Sequence, residues 1–172
     1  MHASGIVPPS ARGVPVVRPA VEDDLQAIIH VQERAIMEQG TGTYGRAICE
    51  AWARVGVQHT DGILEQGEFF VADGAAGAVG VSGWSPDADR RDTAWIRYVF
   101  VLPGSSGAGL GRLLVRTAED AACDAGRRRF LLWSSLNAVG FYRRLGYRWI
   151  RRALWPVGPS LEIEYVLMSR RA

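Results

Sequence analysis

A glycine-rich segment, residues 99–112, carries the clearest chemical signal in the sequence. A β-branched and aromatic strand pattern over 93–101 ends just before Pro103, and a helical pattern over 110–124 begins soon afterwards. Four glycines lie within the nine residues after the proline, at Gly104, Gly107, Gly109 and Gly111. Glycine lets backbone amides approach a ligand without a Cβ, and the first N–H groups of a helix lack internal partners. Because the helix dipole adds positive charge there, the turn predicts a site for a phosphate-bearing ligand.

Two better-known phosphate-binding motifs do not fit this turn. A Walker loop requires Lys and then Ser or Thr after its last glycine, whereas Leu110 and Gly111 follow Gly109. The chain contains no lysine, since all 20 of its cationic side chains are arginine. A dinucleotide-binding Gly-x-Gly-x-x-Gly fingerprint would need its third glycine where Arg112 or Leu114 stands. The pattern that remains is Gly-x-Gly-x-Gly-Arg directly behind a strand.

A second segment, residues 135–147, combines a helical pattern with an unexplained hydroxyl. Ala138, Phe141 and Leu145 recur at the spacing of one helix face. A helix that packs this face on a core accounts for all three residues. It does not account for the hydroxyl of Tyr142, which lies on the same face.

Length and composition indicate an ordinary globular domain. The 172 residues suffice for a core without metal or disulfide support, and 48% hydrophobic and 22% charged residues are typical of soluble proteins. A net charge of +2 does not indicate nucleic-acid binding, and no apolar run is long enough to span a membrane. Cys49 and Cys123 stand alone, which favours buried thiols over a disulfide or a metal site. We therefore expect no metal, a cytoplasmic location, a flexible extension over residues 1–13 and a single domain over 14–172.

The hydrophobic pattern predicts an α/β fold with the element order β, α, α, β, β, β, α, β, α, β, β. Two helices, over residues 23–38 and 44–55, follow the first strand, and Gly40-Thr41-Gly42-Thr43 is expected to separate them. Strands over 147–152 and 161–168 close the chain. A loop is expected between these last two strands.

This element order and three motifs resemble the GNAT (GCN5-related) N-acetyltransferase superfamily. The first strand ends in Val17-Arg18-Pro19-Ala20, the glycine turn follows Val-Leu-Pro, and residues 135–147 match the family's Asn-x-x-Ala-x-x-Phe-Tyr-x-x-x-Gly-Phe pattern. The resemblance covers nearly the whole chain. It implies a mixed, mostly antiparallel twisted sheet of about seven strands, with a central parallel splayed pair and about four flanking helices.

The resemblance also implies an activity, the transfer of an acetyl group from acetyl-coenzyme A to a primary amine of a small molecule or peptide. The amine would attack the thioester directly, and a backbone N–H near Val101 would stabilise the developing oxyanion. Tyr142 matches the family's general acid, which protonates the departing thiolate. The positions that match the family's cofactor-binding segments are Val99, Phe100, Val101, Gly107, Ala108, Gly109, Leu110, Gly111, Arg112, Ser135 and Asn137.

The sequence departs from the family pattern where the pantetheine arm and the amine proton would be handled. Ser135 aligns with the family's pantetheine-binding asparagine and Asn137 lies two residues later, so either residue could supply that contact. No carboxylate stands on the two strands beside the turn, where many relatives carry a general base. An alkyl amine is mostly protonated at neutral pH, so its proton must leave through a water chain or Glu38 unless the amine itself has a low pKa. The sequence does not choose among these routes.

The resemblance places the acceptor pocket between the segment 38–44 and the connection 151–160. The candidate pocket residues are Glu38, Tyr44, Trp84 and Trp155, with Trp95 and Trp133 adjoining. Six tryptophans in the chain suggest an apolar or aromatic amine, although tryptophans that fill the core are the more ordinary explanation.

Two other functions fit the same residues. A non-catalytic acyl-coenzyme A sensor would keep the phosphate turn and need no base. An interaction module would bind no cofactor, but the turn and Tyr142 would then have no reason to occur together. The sequence also allows a homodimer, and it does not identify the acceptor amine.

Overall fold

A seven-stranded mixed sheet forms the centre of the protein. The computed structural model describes residues 15–66 and 68–172, with the backbone alone for 57–66. The strands lie in the order β1-β2-β3-β4-β5-β7-β6. They are β1 (Val16–Pro19), β2 (Glu68–Gly74), β3 (Gly77–Pro86), β4 (Thr93–Val101), β5 (Arg129–Ser135), β6 (Arg148–Gly158) and β7 (Leu161–Arg171). The helices are α1 (Leu25–Ala35), α2 (Thr41–Tyr44), α3 (Arg46–Gln66), α4 (Leu110–Asp124) and α5 (Val139–Arg144). This architecture confirms the predicted fold class, while the expected extension over residues 1–13 lies outside the described residues.

β4 and β5 are the one parallel pair in the described sheet, and they pair over a short stretch. Residues 93–95 of β4 lie opposite 129–131 of β5. Beyond that point β4 continues along β3, and β5 continues along β7. Because each strand keeps its outer neighbour, the two separate after Trp95 and leave a gap between them. This is the splayed pair that the sequence resemblance implies.

A bulge interrupts β4 where the gap opens. Ser82 of β3 faces two residues of β4, Tyr98 and Val99, instead of one. The φ angle of Tyr98 is 52°, which is uncommon for any residue but glycine. Its ring packs against Phe69 at a centroid distance of 5.5 Å, which holds the strained residue in place. Since a bulge bends its strand and increases the local twist, β4 changes direction at the point where it leaves β5.

Helices cover both faces of the sheet. Val71 packs in a cluster with Ile28 and Val31 of α1, whereas its neighbour Ala72 packs with Leu114 of α4. Successive strand residues point to opposite faces, so α1 and α4 lie on opposite sides of the sheet. A Cβ on Gly80 would stand 2.8 Å from a methyl carbon of Leu114, so this glycine lets α4 approach the sheet closely.

Arg18 and Asp24 fix the start of the first helix. The Arg18 guanidinium donates to the two Asp24 oxygens at 2.7 and 2.8 Å and to Asp73 of β2 at 2.6 Å. Asp24 also accepts the N–H of Val21 at 2.8 Å, and the bond from Arg18 holds the pKa of Asp24 below its usual value. The Arg-Pro-Ala end of β1 thereby connects β1, β2 and the entry to α1.

The predicted helix break at Gly40-Thr41-Gly42-Thr43 is wrong. A wide π-helical turn, Ile36–Gly40, follows α1 and leads directly into α2, and the chain leaves the helical conformation at Gly45, whose φ is 80°. Gly40 is buried, and a Cβ there would lie 3.0 Å from the sulfur of Cys49. This glycine therefore serves close packing between helices and does not reverse the chain.

The expected loop between the last two strands is also wrong. β6 extends to Gly158 and β7 begins at Leu161, so Pro159 and Ser160 alone make the turn. Ser160 takes the positive φ of 58° that such a tight connection needs. Trp155 consequently lies on a strand, opposite Ile163 of β7.

The described residues give no sign of a membrane span or a metal site. No described helix combines the length and hydropathy needed to cross a bilayer. No group of three or more His, Cys, Asp or Glu among the described side chains is arranged to bind a metal ion. Cys49 is buried and Cys123 partly buried, and both are free thiols.

A buried carboxylate joins α4 to the last strands. Glu119 accepts a hydrogen bond from the hydroxyl of Tyr147 at 2.8 Å and another from Arg170 of β7. Arg116, one turn earlier on α4, adds an ion pair at 3.7 Å. A charge buried in this way is tolerated only while its partners remain.

Replacing Glu119 with Ala leaves Arg170 unpaired and Tyr147 without an acceptor. We expect Glu119→Ala to lower the free energy of unfolding by about 3 kcal/mol, since Arg170 keeps some contact with solvent. Tyr147→Phe removes one hydrogen bond and should cost about 1–2 kcal/mol. Urea unfolding of both variants measures the difference, and equal losses would contradict a central role for Glu119.

Candidate active site

The glycine turn presents backbone N–H groups around an open space at the start of α4. Gly107 and Gly109 have φ angles of 89° and 83°, which L side chains rarely adopt. Nothing lies within 4 Å of the point where a Cβ of either glycine would stand. In the described structure, Leu113 is the first residue of α4 whose N–H has an acceptor, the Gly109 carbonyl at 3.0 Å. The N–H groups from Gly107 to Arg112 are thus available to an anion.

Gly111 has a different role from the two glycines before it. Its φ is not positive, and a Cβ there would lie 3.3 Å from the ring of Phe141. The first turn of α4 therefore packs closely on α5 at this point. Gly111 thus lets the glycine turn and the helix that carries Tyr142 pack together.

The edge of β4 that faces the gap carries backbone groups that no strand pairs. The N–H of Leu102 donates to the Val79 carbonyl of β3 at 2.9 Å. Backbone groups alternate in direction along a strand, so those of Val99 and Val101 point toward the gap. The Val101 carbonyl accepts a hydrogen bond from the Gln39 side chain at 2.7 Å.

A cavity of about 80 Å³ lies within the gap. Val99 and Val101 line it from β4, and Ser135 and Asn137 line it from the other side. The Asn137 side chain donates to the backbone carbonyl of Gln39 at 3.2 Å. Gln39, which the sequence does not single out, therefore links the end of β4 to the segment behind β5.

A larger cavity of about 330 Å³ adjoins the first one, and eight of its 19 lining residues are aromatic. The two cavities lie next to each other, because both are lined by Trp52, Val99, Phe100, Ser135 and Ala138. The Trp95 and Trp133 rings stack at 6.4 Å, and Trp155 meets Trp133 edge-on at 5.6 Å. The aromatic residues in the wall are Trp52, Trp95, Tyr98, Phe100, Trp133, Tyr142, Trp155 and Tyr165.

Tyr142 lies in the wall of the larger cavity with its ring firmly packed. The residue is 7% exposed, and its ring contacts those of Phe141 and Tyr147 at 5.0 and 5.7 Å. Its hydroxyl has no hydrogen-bond partner among the described residues, and burial raises the pKa of Tyr142 well above its ordinary value. The hydroxyl therefore keeps its proton across the neutral and mildly alkaline range and can donate it.

Two polar side chains in this wall are not found by the sequence patterns. Arg97 of β4 lines the cavity. Gln32 of α1 is 1% exposed, and its carbonyl oxygen has no partner among the described residues. A Cβ on Gly56 would stand 2.0 Å from the Gln32 amide nitrogen, so that glycine makes room for the side chain. Nothing in the sequence separates Gln32 from the apolar helix stripe in which it occurs.

Three of the four predicted pocket residues lie away from both cavities. Glu38 is exposed and pairs with Arg34 one helical turn earlier. Trp84 is buried in the main core cluster on the sheet. Trp155 lines the larger cavity, as do Trp95 and Trp133. No carboxylate side chain lines either cavity among the residues that the structure describes.

Tyr44 connects three parts of the fold instead of facing the cavity. Its hydroxyl donates to the Glu164 carbonyl at 2.7 Å and accepts the N–H of Leu136 at 2.6 Å. Burial raises the pKa of Tyr44 to about 12. Since Leu136 begins the turn that leads to α5, Tyr44 helps to position the helix that carries Tyr142.

Comparison with known proteins identifies the family. A family model described as an acetyltransferase (GNAT) domain matches residues 65–149, which include the gap, the glycine turn and α5. The chain belongs to the GNAT superfamily. An uncharacterized N-acetyltransferase of Methanocaldococcus jannaschii is 28% identical over 140 residues, which cover 76% of this chain and 59% of that protein. The chain spans about three fifths of the length of the curated relatives that it matches.

Solved structures of GNAT proteins share the fold over nearly the whole chain. A GCN5-related N-acetyltransferase from Rhodopseudomonas palustris has a TM-score of 0.80 at 19% identity, covering 94% of this chain and 98% of that one. The PaiA N-acetyltransferase from Thermoplasma acidophilum has a TM-score of 0.72 at 17% identity, covering 92% of this chain and 99% of that one. The Thermoplasma structure is a complex with coenzyme A.

Proposed function

We propose that this protein is an acetyl-coenzyme A-dependent N-acetyltransferase that acts on a primary amine of a small molecule or peptide. The observation that carries this proposal is that two adjacent cavities with shared lining residues lie at the gap between β4 and β5. The smaller cavity lies beside the strand that leads into the glycine turn. The larger one contains Tyr142 and leaves room for an acceptor.

The glycine turn and the residues around the smaller cavity fit coenzyme A. The N–H groups from Gly107 to Arg112 would bind its pyrophosphate, and the exposed Arg112 side chain would add positive charge. The backbone groups of Val99 and Val101 would pair with the amides of the pantetheine arm, as an added strand does. Ser135 would contact the pantetheine arm from the side opposite β4. The Gln39 side chain would give up its hydrogen bond to the Val101 carbonyl, so that this carbonyl could pair with the arm.

The proposed acetyl transfer uses a backbone N–H of β4 and the hydroxyl of Tyr142. When bound, acetyl-coenzyme A supplies an acetyl thioester that a neutral amine can attack. A backbone N–H of β4 in the gap, at Val99 or Val101, would stabilise negative charge on the thioester oxygen. Tyr142 would give its hydroxyl proton to the departing sulfur. No carboxylate lines either cavity among the described residues, so water would accept the proton of the amine, and a proton from solvent would restore the Tyr142 hydroxyl.

Thiol release tests the activity directly. The full chain is incubated with acetyl-coenzyme A and a panel of primary amines, and free thiol is measured alongside cofactor binding. Amine-dependent thiol release is the expected result. Tight acetyl-coenzyme A binding with no turnover on any amine would instead favour the non-catalytic sensor, and absence of binding would overturn both.

The glycine turn can be tested at Gly109, whose φ of 83° an L side chain adopts only with strain. We expect Gly109→Ala to weaken coenzyme A binding about 10-fold, because the turn must either relax or hold a strained conformation. Gly104→Ala is the matched control, since Gly104 has open space around it and no positive φ. Calorimetric titration of both variants measures the difference. Equal affinities in the two folded variants would exclude the turn as the phosphate site.

Tyr142→Phe keeps the packed ring and removes the proton that the mechanism requires. We expect kcat to fall about 10²- to 10⁴-fold while coenzyme A affinity stays nearly unchanged. Tyr147→Phe removes another buried tyrosine hydroxyl outside the cavity lining and should retain turnover. A Tyr142→Phe enzyme that turns over at the wild-type rate would reduce Tyr142 to a packing residue.

The pH dependence separates a water route from a dedicated base. Burial raises the pKa of Tyr142, so the acid form persists beyond pH 10 and loss of this acid does not limit the rate below that pH. The value of kcat/KM should therefore rise with the neutral fraction of the amine and level near the amine's own pKa. Profiles for two acceptors of different amine pKa should shift accordingly. A limb between about pH 5 and 7 that is the same for both acceptors would indicate a carboxylate base.

A further inference from the structure

Arg97 is held at the cavity in a way that leaves most of its hydrogen-bonding capacity unused. Its Nε donates to the Ser85 hydroxyl at 2.7 Å, and its guanidinium carbon lies 5.8 Å from the centroid of the Trp95 ring. The two terminal nitrogens have no hydrogen-bond partner among the described residues. A guanidinium that is fixed through Nε and has both terminal nitrogens free can bind a carboxylate through two parallel hydrogen bonds.

No described carboxylate neutralises this cation. Asp87 accepts the indole N–H of Trp95 at 2.8 Å and two backbone N–H groups. Glu164 pairs with Arg152 at 2.9 Å. Arg97 remains exposed at one side, yet desolvation at the cavity wall lowers its pKa, and an arginine stays charged under all ordinary conditions. The mouth of the cavity therefore carries an unpaired positive charge.

A second guanidinium strengthens the positive field on the same face. Leu167 of β7 pairs with Trp133 of β5 on one side and with Arg151 of β6 on the other. The guanidinium carbon of Arg151 lies 5.0 Å from the centroid of the Trp133 ring, which stacks on Trp95. Two cations thus flank one stacked tryptophan pair. Such a site attracts an anionic group and repels a diamine or another polycation.

From this arrangement we infer that the acceptor is an amine that bears both a carboxylate and an aromatic or bulky apolar group, with Arg97 as the residue that binds the carboxylate. The stacked tryptophans would contact the apolar group. The unpartnered oxygen of Gln32 would accept a hydrogen bond from an N–H of the same molecule. Amino acids with aromatic side chains have this chemistry. The inference rests on the proposed acetyl transfer for its reaction but not for its ligand.

Four probe amines test separately whether the acceptor needs a carboxylate and whether it needs an aromatic group. Phenylalanine has both the ring and the carboxylate, phenylalaninamide replaces the carboxylate by a neutral group of similar shape, alanine lacks the ring, and a linear diamine lacks both. We expect kcat/KM with acetyl-coenzyme A to be highest for phenylalanine. The less basic amine of phenylalaninamide would favour the opposite order, so a preference for phenylalanine is not caused by amine basicity.

Two arginine variants then test whether Arg97 causes the preference for phenylalanine. Arg97→Gln should lower kcat/KM for phenylalanine about 10- to 100-fold, the usual effect of losing a charged hydrogen bond, and should leave phenylalaninamide nearly unchanged. Arg152→Gln is the control, because Arg152 pairs with Glu164, contacts Trp149 and lies outside the cavity wall. It should retain the wild-type preference.

Calorimetry measures the direct binding of phenylalanine and N-acetylphenylalanine. This measurement tests the inferred ligand class independently of the proposed acetyl transfer. Arg97-dependent binding without acetyl transfer would support the ligand and overturn the proposed activity. Transfer to phenylalaninamide or the diamine at or above the rate for phenylalanine would overturn the inference and keep the activity. Absence of both binding and transfer for all four probes would overturn the inference as well.

Discussion

Backbone hydrogen bonds join β4 to β5 only where residues 93–95 meet 129–131, and from there each strand is held by its other neighbour. A strand pair that stops so early exposes backbone groups inside the domain, where they must find other partners. In this structure Gln39 supplies one partner, by donating to the Val101 carbonyl. An extended ligand that carries its own amides could pair with these same backbone groups. The interrupted pairing is thus the constraint on which the site depends.

The elements around the gap keep it open and bring the glycine turn and Tyr142 close to it. The bulge at Tyr98 bends β4, and the close contact of Gly111 with Phe141 fixes the first turn of α4 against α5. Tyr44 holds the turn before α5 through Leu136. The glycine turn, the exposed edge of β4 and the Tyr142 hydroxyl are therefore positioned by contacts among neighbouring elements.

Local patterns predicted the parts of the site that local chemistry determines. Strand 93–101, helix 110–124 and the turn between them agree with the structure residue for residue, because proline, glycine and hydrophobic period mark their ends. The positions of Gln39 and Arg97 at the cavities could not be predicted in the same way. Glu38 and Gln39 are adjacent, yet the wide turn after α1 leaves Glu38 with Arg34 and brings Gln39 to β4. Likewise Arg97 reaches the cavity through the register of β4 with its neighbours, which no periodicity in the sequence encodes.

Hydrogen–deuterium exchange of the full chain, with and without saturating acetyl-coenzyme A, tests whether the gap and the glycine turn bind the cofactor. The N–H groups of residues 107–112 lack acceptors in the described structure, and those of Val99 and Val101 face the gap, so both segments should exchange readily in the free protein. We expect acetyl-coenzyme A to slow exchange in these two segments, with little change in β1, β2 and their connection to α1. Saturating cofactor that leaves both segments unprotected, or that protects a different face of the sheet, would contradict this expectation.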